Sequence, residues 1–200
     1  NLGESLQIIG ESAFSESGLT SVTIPDSVTT IGNEAFYKSA LEAVTLGDSL
    51  ETISDWSFSR TGLTSVTIPD SVITIGKDAF SSNKNLAEVN LGESVQIIGE
   101  SAFAETGLIS VMIPDSVITI GKKAFSNNTN LVELKLGDSL ETIGDSSFMD
   151  TGLISVTIPD SVTTIGENAF RGVTSLVEVN LGDSLETIGF DAFRNTGLIN

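Results

Sequence analysis

Two neighbouring stretches, LISVTIPDSVTTIGENAF (Leu153 to Phe170) and LVEVNLGDSLETIGFDAF (Leu176 to Phe193), follow one plan with different turns. Each opens on a leucine, alternates apolar and polar residues, turns at Pro-Asp-Ser or Gly-Asp-Ser, and closes on Ala-Phe. The opening leucine recurs at Leu19, Leu41, Leu63, Leu86, Leu108, Leu131, Leu153, Leu176 and Leu198, at a spacing of 22 or 23 residues. Self-similarity at such a period is the mark of stacked repeats. Eight units are complete: 19–40, 41–62, 63–85, 86–107, 108–130, 131–152, 153–175 and 176–197. A partial unit, 1–18, precedes them and another, 198–200, follows. The reading is one continuous array cut from a longer protein.

The units come in two flavours that alternate. Pro25, Pro69, Pro114 and Pro159 occupy the turn in one; Gly3, Gly47, Gly92, Gly137 and Gly182 replace it in the other. In Leu63-x-x-Val66-x-Ile68 the apolar residues alternate with Ser65 and Thr67, which predicts a short strand with its apolar side inward. Pro69-Asp70-Ser71 turns the chain. Val72-x-x-Ile75 brings two more inward residues, and Lys77-Asp78-Ala79-Phe80 reads as a short helical or 3₁₀ turn. A polar loop, Ser81 to Asn85, leads to the next leucine. No unit buries these residues alone, so stacking must place Leu on Leu and Phe on Phe. The Phe column runs Phe14, Phe36, Phe58, Phe80, Phe103, Phe125, Phe148, Phe170 and Phe193, with Phe190 off it. The expected fold is a repeat solenoid with a parallel β-sheet on one face and short helical or 3₁₀ turns on the other.

Composition excludes several functions. Nine Lys and Arg stand against 27 Asp and Glu, a formal charge of -18. Such a surface repels phosphates and anionic lipid headgroups, which argues against nucleic-acid binding and polybasic membrane contact. There is no Cys and no His, hence no disulfide and no Cys- or His-ligated transition metal. No apolar run reaches the length of a membrane span, so membrane insertion is not expected. Paired carboxylates recur in every unit without a singular constellation, and no nucleophile-elbow or phosphate-loop motif is present. A non-enzymatic chain without a cofactor is the expectation.

Four sets of residues are candidate sites. The turn carboxylates Asp26, Asp48, Asp70, Asp115, Asp138, Asp160 and Asp183, with Glu4 and Glu93 in the same column, form a row in which calcium could bridge neighbours. The alternative is that each Asp bonds backbone N–H groups of its own turn. Outward strand positions offer a partner surface: Thr23, Thr45, Thr67, Glu88, Asn90, Glu133, Lys135 and Glu178. Tyr37 and Trp56, aromatics off the Phe column in adjacent units, are candidate anchors for a partner, or pack locally. Asn127-Asn128-Thr129 matches the glycosylation pattern, with Asn127 as acceptor.

The pattern L-x-x-V-x-I-P-D-S-V-x-x-I-G-x-x-A-F, repeated through the chain, resembles the BspA-like class of leucine-rich repeats. The resemblance implies a right-handed solenoid, an extracellular or cell-surface location, and a role in adhesion or recognition of a protein or glycan partner. The alternative is an architectural spacer that stacks end to end. Many relatives place Cys three residues after the Phe. Here that column holds Asn83, Asn128 and Val173 in the longer units, and Ser17, Ser39, Thr61, Thr106, Thr151 and Thr196 in the shorter ones. A polar ladder is expected in place of the thiols.

Overall fold

The structure, a computed structural model, describes residues 2–199. The chain winds as a parallel β-solenoid with one repeat unit per turn and two short strands in most turns. Three-residue strands occupy the L-x-x-V segment: β2 (Ser21–Thr23), β4 (Ala43–Thr45), β6 (Ser65–Thr67), β8 (Glu88–Asn90), β10 (Ser110–Met112), β12 (Glu133–Lys135), β14 (Ser155–Thr157) and β16 (Glu178–Asn180). Two-residue strands follow the turn: β1 (Ile8–Ile9), β3 (Thr30–Ile31), β5 (Thr52–Ile53), β7 (Thr74–Ile75), β9 (Ile97–Ile98), β11 (Thr119–Ile120), β13 (Thr142–Ile143), β15 (Thr164–Ile165) and β17 (Thr187–Ile188).

A parallel sheet does run along one face, but the shorter strands build its unbroken ladder. All nine pair in chain order, with each Thr or Ile opposite its counterpart, as in Thr52↔Thr74 and Ile53↔Ile75. The three-residue strands pair only two by two: β2 with β4, β6 with β8, β10 with β12 and β14 with β16. Every break falls between a Gly-flavour strand and the Pro-flavour strand after it. The latter runs into Pro69, Pro114 or Pro159, which has no N–H to contribute to a ladder.

The Pro and Gly turns are fitted to one another. A side chain at Gly92 would place its Cβ 2.3 Å from the Pro69 carbonyl oxygen, and one at Gly137 or Gly182 would meet Pro114 or Pro159 at the same distance. The Gly turn thus seats directly on the carbonyl of the preceding Pro turn.

The stretch Lys77 to Phe80 is not helical, contrary to expectation. Ala79 N–H bonds back to Gly76 and Ser81 N–H to Asp78, but Asp78, Phe80 and Ser82 send their N–H groups to Glu100, Ala102 and Ala104 of the next turn at 2.8 Å. A helix would return every N–H along its own segment. Here alternate donors leave it, which requires left-handed backbone at two positions per turn, such as Asp78 (φ 52) and Ser82 (φ 59). Of these positions only Gly172 is a glycine.

Between the faces lies the core. The Phe rings stack with centroids 5.2–5.4 Å apart and planes within 12°. Phe36 through Phe170 are fully buried. Beside them lies the expected polar ladder. The buried Asn128 amide accepts from Thr106 N–H and Thr106 Oγ1, both at 2.7 Å, and donates to the Phe103 and Phe125 carbonyls at 2.8 and 3.0 Å. Asn83 does the same for Thr61, at 2.6 and 2.9 Å, and donates to Phe58. Val173, in the equivalent place, is buried without such bonds.

Candidate functional site

The carboxylates of the Pro turns are engaged with backbone, and the reach differs from the expected one, whereas Asp48, Asp138 and Asp183 of the Gly turns take part through their backbone N–H. Asp26, Asp70, Asp115 and Asp160, all in Pro turns, do not close their own turn. Their Oδ1 atoms accept the N–H of Asp48, Glu93, Asp138 and Asp183 in the next turn at 2.9–3.1 Å. The serine after each of these Asp residues reaches the other way. Ser27, Ser71, Ser116 and Ser161 donate to carbonyls of the preceding turn, each at 2.7 Å. Each Pro-Asp-Ser turn therefore stitches both neighbours. Asp55 and Asp145, in Gly-flavour units, accept Lys77 N–H and Glu167 N–H in the same manner. Among the described residues no three carboxylates converge as a metal cage would require.

The outward strand residues Thr23, Thr45, Thr67, Glu88, Asn90, Glu133, Lys135 and Glu178 are all exposed, as is Met112. Register sets Thr23 beside Thr45, Thr67 beside Asn90, and Met112 beside Lys135. Asn90 Nδ2 donates to Glu88 Oε1 at 3.0 Å, so two of the candidates hold each other. The inward positions repeat almost unchanged; the last outward position of the three-residue strands is Thr at Thr23, Thr45 and Thr67 and then changes to Asn90, Met112 and Lys135.

Tyr37 and Trp56 do come together. Their rings meet edge to face, 6.2 Å apart at 84°, and Lys38 Nζ lies 5.0 Å from the Tyr37 ring centre. Both rings are half-buried. Trp56 holds a left-handed φ of 59°, which carries its side chain to the rim of the non-helical face. From there a groove of about 250 Å³ runs along that face to Met149. Of its lining residues the sequence singles out Trp56 and Asn127; the others fall in the stretches that read as helical turns and polar loops. The available signal was the residue after each Phe, which is small at Ser59, Ser81, Ala104 and Ser126 between Tyr37 and Met149. Asp78 lines this groove. Burial pushes its carboxyl above the ordinary value, helped by Glu100 and Asp55 and opposed by Ser81 and Lys77. Asn127 is exposed on the groove's wall, while its neighbour Asn128 is buried in the ladder.

No helix among the described residues is long and apolar enough to cross a membrane. No curated protein matches the chain. Solved structures do. A leucine-rich repeat protein from Bacteroides ovatus is 25% identical with a TM-score of 0.63, over 95% of this chain and 68% of that one. A leucine-rich repeat protein from T. pallidum is 25% identical with a TM-score of 0.68, over 92% and 77%. A leucine rich cell surface protein from Faecalibacterium prausnitzii is 29% identical with a TM-score of 0.56, over 93% of this chain and 60% of its own length. Residues 7–127 and 97–200 match the BspA type leucine rich repeat region, in six copies. With nearly the whole length matched and the stacked Phe solenoid in place, the chain belongs to the BspA-type leucine-rich-repeat family.

Proposed function

We propose that the chain is a non-enzymatic recognition scaffold that works at a cell surface or outside the cell, binding a protein or glycan partner. One observation carries this. The inward frame repeats turn after turn, whereas the exposed row, Thr at Thr23, Thr45 and Thr67, then passes through Asn90, Met112, Lys135 and Thr157 with a different side chain at each step. A spacer needs only the frame; a varied surface on a constant frame suits recognition. The acidic side chains recur by turn and do not gather at one pocket, which fits binding better than catalysis. The cell-surface relative from Faecalibacterium supports the location.

The test is retention of the labelled chain on immobilised extracellular glycoproteins and on the same proteins after deglycosylation. Saturable binding is expected, and loss on deglycosylation would assign the partner to glycan. A chain that saturates on none of them would refute the recognition reading and favour the spacer, whose function is its length.

A further inference from the structure

We propose that the groove on the non-helical face binds an extended, neutral oligosaccharide, an inference that rests on the recognition reading and gives it a place. The groove is built by the backbone described above. The two left-handed positions of each turn throw their side chains outward as walls. The residue after each Phe lies between them as floor, with Ser81, Ala104 and Ser126 at its centre. Trp56 stands at one end and Met149 at the other.

Ser126 and Ser81 give the floor its polar character. Ser126 is only 2% exposed and lines the groove. Ser81, one floor position nearer Trp56 than Ala104, is paired with Ser59, Oγ to Oγ at 2.9 Å.

The lining then selects the chemistry. On a chain of net charge -18 the groove is balanced, with Arg60 and Lys123 facing Asp78 and Glu105. Neither Arg60 nor Lys123 forms an ion pair among the described residues. Such a lining neither attracts a polyanion nor a polycation, but it offers both donors and acceptors for hydroxyls. A peptide added as a strand is excluded, because the groove's backbone is already spent on its neighbours: Arg60 N–H bonds Ser81, Ser82 N–H bonds Ala104, and Glu105 N–H bonds Ser126. The indole of Trp56, braced by Tyr37, is a platform for the apolar C–H face of a pyranose ring. The turns repeat at the 5.2–5.4 Å of the stacked Phe rings, close to the advance of one sugar in an extended β-linked chain.

Calorimetric or NMR titration of the whole chain with cellohexaose, xylohexaose and chitohexaose tests the assignment. At least one is expected to saturate. Trp56→Asn, which keeps a residue tolerant of left-handed backbone, is expected to weaken it about tenfold or more. Ala104→Tyr, which fills the floor, is expected to abolish it. Ser126→Ala is expected to weaken it severalfold with unchanged thermal unfolding, so the loss is not one of folding. Failure of all three sugars to bind overturns the proposal, as does affinity indifferent to the three substitutions. Binding lost instead on Glu88→Gln and Lys135→Gln overturns the groove while leaving the recognition scaffold standing.

Discussion

Replacing Asn128 by Val removes a fully buried amide that makes four hydrogen bonds, two of them to Thr106. Each is worth about 1 kcal/mol net, and the Thr106 N–H left buried without an acceptor adds about 1–3 kcal/mol. The new Val returns part of this through apolar burial, so a net loss of about 3–5 kcal/mol is expected. The same column supplies the reverse experiment. Val173 occupies the equivalent buried position, and Thr151 N–H has no hydrogen-bond partner among the described residues. Val173→Asn is therefore expected to gain about 1–2 kcal/mol. Denaturant unfolding gives the sign of each change, and hydrogen exchange locates it. The Thr106 amide should lose protection in the first variant and the Thr151 amide should gain it in the second. If Asn128→Val leaves stability and Thr106 exchange unchanged, the ladder is not a stabilising element and the argument fails.

Other outcomes follow from the same packing. Phe103→Ala, which empties a place between rings 5.3 and 5.4 Å away, should cost about 3–5 kcal/mol, with exchange rising around turns 86–130 and not throughout the chain. Gly137→Ala should destabilise by about 1–3 kcal/mol because its Cβ meets the Pro114 carbonyl, whereas Gly3→Ala, whose Cβ meets nothing within 4 Å, should change thermal unfolding little. Ser147→Ala removes a buried hydroxyl without a partner, at a position where other turns hold Ala, and should raise stability by about 1–3 kcal/mol in denaturant titration. Asp78 binds its proton more tightly when folded than when unfolded. Its contribution is therefore favourable below the unfolded carboxyl range and is lost as pH rises through its raised folded value. Asp78→Asn should flatten that stretch of the stability–pH curve and leave the protein more stable at neutral pH; a curve identical to that of the parent chain would contradict the assignment.

Much of this fold is legible in the residues because stacking is dictated by identity at fixed spacing. Phe58, Phe80 and Phe103 could only bury themselves on one another, and they do. The polar ladder was likewise readable from Asn83 and Asn128. What periodicity alone could not show is where backbone N–H groups go. Val72-x-x-Ile75 looked like a minor segment and proves to carry the continuous sheet, because the more strand-like Leu63-x-x-Val66-x-Ile68 ends at a Pro. Lys77 to Phe80 looked helical for want of a reason to doubt it, while left-handed backbone at Trp56 and Lys123 is invisible in residues with no preference for it. Tyr37 and Trp56 were identified as possible anchors, but the groove beside them depends on that backbone and so escaped notice.

The alternation of Pro and Gly turns makes two different interfaces. Where a Gly turn follows a Pro turn, the glycine seats on the Pro carbonyl, the Asp carboxylate takes the next N–H, and the three-residue strands pair. Where a Pro turn follows a Gly turn, those strands do not pair, and the contact near the turn rests on the Ser hydroxyl, as in Ser71 to Leu50 or Ser116 to Val95. With fewer backbone bonds, these second interfaces are where local opening should begin, so the array behaves as pairs of turns. A partner bound across the three-residue strands meets a surface divided at every second turn. The groove face has no such division. Asp78 to Glu100 crosses one kind of interface and Ser101 to Lys122 the other, at 2.8 and 2.9 Å. A ligand lying lengthwise there rests on a backbone ladder that passes through both interfaces unbroken, which is the support that a long, repeating chain of weak contacts requires.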